Sequence, residues 1–165
     1  MTRLILVRHA KSSWDDPELE DFDRPLGKRG RRDAPAMGAW LRAGGHEPEA
    51  ALVSSAARAV QTFARLFQGA TPPPARFLDA LYLADTAVML GALRGARGER
   101  VLMVGHNPGI GAFATRLLGL PPDDPDYERF PTCATAVIDF ASGWDAVDWH
   151  SGRLVDFMTP KRLAR

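Results

Sequence analysis

Two histidines and two arginines stand where apolar runs of this chain stop, and these side chains are of the kinds that grip and transfer an anionic group. Arg8 and His9 follow Leu4-Ile5-Leu6-Val7. His106 follows Val101-Leu102-Met103-Val104-Gly105. Arg58 lies one turn beyond Ser54-Ser55, at the end of a third run from Ala50. Branched apolar runs of this length read as buried strands of a parallel sheet, and open α/β sheets bind ligands outside the carboxyl ends of their strands. Guanidinium forks match phosphate oxygens, helix N-termini after the second and fourth strands add N–H donors, and a neutral imidazole is a competent nucleophile. Each residue alone has an ordinary reading: a solvated strand end, a surface arginine, a hydrogen-bonded loop histidine. Four of them at three matching strand ends point to one anion site.

The elements that must position them follow from periodicity. The first strand leads into a polar segment, Trp14 to Arg24, expected to be a long loop. A helix is expected from Leu26 to about Ala43, with Ala34, Met37 and Leu41 on one face. Pro35 implies either a kink or a regular part that starts near Asp33. Ala50 to Ser54 reads as a strand. Ala56 to Gln68 reads as a helix burying Val60, Phe63, Ala64 and Phe67. After the stiff Thr71-Pro72-Pro73-Pro74 connector comes a short strand, Arg76 to Leu78. Asp85 caps a helix to about Arg94. Arg100 to Gly105 is a strand, and Pro108 sits in the first turn of a helix that buries Ile110, Phe113, Ala114, Leu117 and Leu118. Pro121 to Pro131 reads as a polar loop. Thr132 to Phe140 and Ala146 to Phe157 read as strands around a Ser142-Gly143 turn, the second with a break at Ser151-Gly152. The expected fold is α/β in three layers, a mainly parallel sheet with helices on both faces and an antiparallel C-terminal edge.

The bulk numbers set limits. A length of 165 residues suits one domain spanning 1–165, with 45% hydrophobic and 25% charged residues. A formal net charge of +1 argues against nucleic acid and against a polybasic membrane anchor. Cys133 is the one cysteine, so an intramolecular disulfide and a cysteine-based zinc site are both excluded. No apolar run approaches a membrane span, and the first strand leaves no room for a signal peptide. A cytoplasmic protein is expected, with no metal and no cofactor. The oligomeric state is not legible.

The motifs resemble a known family. Val7-Arg8-His9-Ala10-Lys11-Ser12 resembles the Arg-His-Gly signature of the histidine phosphatase superfamily, with Ala10 in place of the glycine. Arg24-Pro25-Leu26 and Gly30 resemble the segment that follows. Ser54-Ser55-Ala56-Ala57-Arg58-Ala59-Val60-Gln61-Thr62 resembles the second motif, and Val104-Gly105-His106-Asn107-Pro108-Gly109 the last. The match runs from Met1 to about Leu120. The short chain and the Ala-Lys-Ser variant most resemble SixA-type phosphohistidine phosphatases. The resemblance implies a phosphoglycerate mutase-like fold. It also implies that His9 is the nucleophile and that Arg8, Arg58 and His106 hold the phosphoryl group. Lys11, Ser12 and Arg24 are further candidates for substrate contact, and Trp14 for the pocket mouth. His46 and His150 lie outside any motif and are expected to be structural.

Many relatives place a glutamate after the third strand to protonate the leaving group. Here Phe77-Leu78-Asp79-Ala80-Leu81-Tyr82 holds only Asp79, a displaced general acid or a loop aspartate. Little chain lies between Phe67 and Arg100 to build a lid, so an open pocket is expected. Together these features favour a metal-independent phosphatase acting on phosphohistidine in proteins. The alternatives are a sugar or aryl phosphate monoesterase and a non-catalytic phosphate-binding module. Intact His9 favours the enzyme. A cysteine-dependent phosphatase fails, because no arginine closely follows Cys133. Whether the acidic segment Asp15 to Asp23 folds over the site is left open by the sequence.

Overall fold

The computed structural model describes residues 1–165. Six strands form one sheet: β1 (Thr2–Arg8), β2 (Ala50–Ser54), β3 (Ala75–Leu78), β4 (Arg100–Gly105), β5 (Thr135–Phe140) and β6 (Arg153–Met158). Their spatial order is β3-β2-β4-β1-β5-β6. The first four are parallel, while β5 runs antiparallel to both β1 and β6. The helices are α1 (Lys28–Ala43), α2 (Ala57–Leu66), α3 (Thr86–Arg94), α4 (Gly109–Leu117), α5 (Pro125–Arg129) and α6 (Pro160–Leu163).

Alternation along the strands sends side chains to opposite faces and builds two cores. Ile5, Val7, Val53, Leu102 and Val104 pack with Met37 and Leu41 of α1 and with Phe63 and Leu66 of α2. Leu4, Leu6, Leu52 and Met103 pack with Met89 and Leu93 of α3, Phe113 and Leu117 of α4, and Tyr127 of α5. The sheet is thus covered on both faces, as a parallel sheet requires. No helix is long and apolar enough to cross a membrane.

Several sequence expectations are corrected. α1 runs unbroken from Lys28 through Pro35; packing of its buried face outweighs the one hydrogen bond that proline cannot make. α2 buries Arg58, Ala59, Thr62, Phe63 and Leu66, while Ala64 is exposed. Two polar residues occupy its inner face, which rotates that face away from the one the apolar pattern marked. The proline-rich loop contains α5, capped by the Asp124 carboxylate, which accepts from the Asp126 N–H at 3.0 Å. Residues 146–152 do not form a strand, and β6 begins only after Gly152. The Asp85 cap is present, its carboxylate accepting from the Val88 N–H at 3.0 Å.

Candidate active site

Strand register creates the site. Arg8 pairs with Gly105 across β1 and β4, so His9 and His106 leave neighbouring strands side by side, with ring centroids 5.0 Å apart. Val53 pairs with Val104 across β2 and β4, which brings the Ser54 hydroxyl to 2.7 Å from His106 Nε2. Arg58 enters from the first turn of α2. A cavity of about 230 Å³ results, lined by Arg8, His9, Lys11, Ser12, Arg24, Arg58 and His106, with Trp14 and Leu83 also on its wall.

Motif residues that make no chemistry hold these segments together. The Thr62 hydroxyl donates to the Arg58 carbonyl at 2.7 Å and accepts from the Ala10 N–H at 2.9 Å. The Gln61 carbonyl oxygen accepts from the Leu26 N–H at 2.8 Å. A Cβ at Gly30 would fall 2.2 Å from the Lys11 carbonyl oxygen. Only glycine lets α1 begin against the loop that follows β1.

The two imidazoles are set up differently. His9 Nδ1 lies 2.7 Å from the Ala10 carbonyl. A carbonyl only accepts, so Nδ1 carries the proton and Nε2 keeps its lone pair. Burial, with His106 and two arginines nearby, lowers the His9 pKa to about 3, which keeps the ring neutral. Burial and then Arg58 lower that of His106 to about 4. Arg8 Nε and His106 Nδ1 are buried with no hydrogen-bond partner. Both atoms belong to residues that line the cavity, and Arg8, Arg24 and Arg58 make that lining suited to an anion.

The acidic segment does reach the site. A 3₁₀ turn at Asp21–Asp23 sets Asp21 against Arg58, which donates to the Asp21 carbonyl at 2.6 Å and to its carboxylate at 2.9 Å. Arg24 donates to the same carboxylate at 2.8 Å, and the Tyr82 hydroxyl also donates to it. Those bonds, Tyr82's first, hold the Asp21 carboxyl well below the usual carboxylate range. Asp21 takes two of the five Arg58 donors and fixes the guanidinium from its outer edge. Arg24 also donates to the Ser13 carbonyl at 3.1 Å and to the Ser12 hydroxyl, and its guanidinium lies 3.3 Å from the Trp14 ring centroid. Asp79 is exposed, accepts from the Ser55 hydroxyl, and is not on the cavity wall. Asp21 and Tyr82 are the neighbours that sequence reasoning missed. The signal for Asp21 was its place three residues before Arg24.

His46 is buried away from the cavity, 3.4 Å from Asp156, and His150 Nδ1 lies 3.3 Å from the Leu118 carbonyl. No group of three or more His, Cys, Asp or Glu side chains is arranged to hold a metal ion.

The buried imidazoles make stability depend on pH. Unfolded, both titrate near ~6.5, so between that pH and about 4 the unfolded chain binds more protons than the folded one. Stability therefore falls as pH falls through this window, with a slope of up to ~1.4 kcal/mol per pH unit for each group. Urea unfolding at pH 7, 6 and 5 should show this loss, and His9→Asn and His106→Asn should each flatten it. Equal slopes in wild type and both variants would contradict the neutral buried state.

The profile of the histidine phosphatase superfamily (branch 1) matches residues 4–82. An uncharacterized Mycobacterium tuberculosis protein is 36% identical over 162 residues, covering 94% of this chain and 100% of that relative. Among solved structures, a candidate phosphohistidine phosphatase SixA from Nakamurella multipartitia is 29% identical, covers 96% of both chains and superimposes with a TM-score of 0.81. The protein histidine phosphatase SixA complexed with tungstate is 25% identical over 98% of this chain and 99% of its own, with a TM-score of 0.78. With the Arg-His, Ser-Ser-x-x-Arg and Gly-His motifs converging on one cavity, the chain belongs to the histidine phosphatase superfamily, as a phosphatase of the SixA type.

Proposed function

We propose that this protein hydrolyses phosphohistidine in proteins through a covalent phosphohistidine on His9, without a metal. The observation that carries this reading is the free Nε2 lone pair of His9 beside the orphaned Arg8 Nε and His106 Nδ1. That is one nucleophile with oxyanion partners around it. Tungstate in the SixA relative is an oxyanion of the same tetrahedral shape.

In the first step His9 Nε2 attacks phosphorus, the bond to the leaving nitrogen or oxygen breaks, and its electron pair goes to the leaving group. The equatorial oxygens rest on Arg8, Arg58 and His106, where fixed cations supply the charge stabilisation that phosphoryl transfer needs. Burial and Arg58 keep His106 neutral near pH 7, and the incoming dianion restores its proton against Arg8 and Arg58. In the second step water attacks phosphorus, the P–Nε2 bond breaks, its electron pair returns to His9, and the water proton leaves with phosphate or to solvent.

Trp14, 70% exposed, and Leu83, 54% exposed, stand at the mouth with no segment over them. Such a rim suits a phosphoryl group displayed on a polypeptide. Phosphate release from a histidine-phosphorylated peptide in excess chelator tests the reading. Undiminished turnover is expected, and turnover that stops and returns with a divalent cation would overturn the metal-free route.

A further inference from the structure

A groove of about 580 Å³ runs beside the catalytic cavity, between the first half of α1, α5 with the loop after it, and α6. Arg29, Arg32, Arg129 and Lys161 line it, and Asp33 and Asp126 are its carboxylates. Each carboxylate is shared by two arginines. Asp33 lies 4.0 Å from Arg29 and 3.2 Å from Arg32, while Asp126 pairs with Arg129 and, at 3.1 Å, with Arg162. Arg162 is matched in turn by Asp124 at 2.6 Å. The groove therefore keeps a positive surplus on a chain of formal net charge +1. Its arginines reach solvent, with side chains of Arg29, Arg32 and Arg129 exposed by 55%, 72% and 70%.

One wall of the groove runs against local helix preference. The first turn of α1 carries Lys28, Arg29 and Arg31 and no acid, although the positive end of a helix dipole favours anions. Arg29 therefore gains nothing from the α1 dipole, and its charge adds to the positive field of the groove. The groove also shares a wall with the nucleophile. Thr132 lines both the groove and the catalytic cavity, the Cys133 N–H donates to the His9 carbonyl at 3.0 Å, and Arg8 donates to the Phe130 carbonyl at 3.3 Å.

We propose that this groove docks an acidic segment of the phosphorylated protein, flanking the phosphohistidine that enters the cavity. This rests on the reading of the substrate as a phosphohistidine protein. The test uses three probes: a phosphohistidine peptide flanked by Glu, the same peptide flanked by Gln, and phosphoimidazole. For the wild type, kcat/KM for the Glu peptide should exceed that for the Gln peptide by about tenfold at low salt, and added salt should erase the difference, since Debye screening acts on exposed charges. In Arg29→Gln/Arg129→Gln/Lys161→Gln the Glu peptide should fall to the level of the Gln peptide, while phosphoimidazole is hydrolysed at the wild-type rate. That unchanged rate also reports an intact fold. Equal hydrolysis of the two peptides by the wild type, or a preference that survives in the triple variant, would overturn the docking groove and leave the catalytic reading standing. Failure to hydrolyse any of the three probes would overturn both.

Discussion

Replacing His9 with alanine is expected to bring turnover to background, a fall of about 10⁴–10⁶-fold, the scale seen when a hydrolase loses its nucleophile. The variant keeps Arg8, Arg58 and His106, so it should still bind tungstate or inorganic phosphate. Binding without turnover separates loss of the nucleophile from loss of the anion site. The fold should survive. His9 follows the last residue of β1, and its side chain makes one hydrogen bond, to the adjacent Ala10 carbonyl. Such a bond contributes about 1 kcal/mol. Quenching the wild type during turnover should trap acid-labile phosphate on the protein, and the variant should carry none. An unchanged circular dichroism spectrum completes the comparison. Activity close to wild type in His9→Ala would remove the covalent mechanism altogether.

Phosphohistidine should be hydrolysed faster than an aryl phosphate, and an aryl phosphate faster than a sugar phosphate. The reason is the chemistry of departure. General-acid help to a leaving group is worth on the order of 10²–10⁴ in rate, and the carboxyls near this cavity are poorly suited to give it. Asp21 is held ionised by Tyr82, Arg24 and Arg58. Asp79 faces solvent and binds Ser55. An alkoxide must then leave with its full basicity, whereas a phosphohistidine ring that takes a solvent proton on its other nitrogen leaves as neutral imidazole, whose conjugate acid has a pKa near ~6.5. The spread in kcat/KM between phosphohistidine and the sugar ester should reach at least about 10², and Asp79→Asn should leave all three rates unchanged. Comparable kcat/KM on phosphohistidine and a sugar phosphate would contradict the absence of an acid. A selective loss on the sugar ester in Asp79→Asn would restore Asp79 to that role.

The chain itself determined the strands that carry the chemistry and the residues at their ends. Ala50 to Ser54 and Arg100 to Gly105 stand in the structure with the bounds read from the sequence. A continuous apolar run closed by a polar residue marks a strand buried on both faces, and burial is what local pattern records. The order of such strands in an α/β chain brings their carboxyl ends to one side, so Arg8, His9, Arg58 and His106 were legible as a group. Where a buried face carries polar residues, the same pattern misleads. Arg58 and Thr62 face inward on α2 because the site needs one and the loop after His9 needs the other. Only the tertiary structure decided the rest. Strand register fixed Ser54 on His106, and the crossing of the Asp21–Asp23 turn over α2 fixed Asp21 on Arg58. The basic groove likewise joins Arg29, Arg129 and Lys161 from three distant parts of the chain. These are pairings of charges across space. A charged residue carries no periodic mark of its partner, because its place is set by which segments the packed cores bring together.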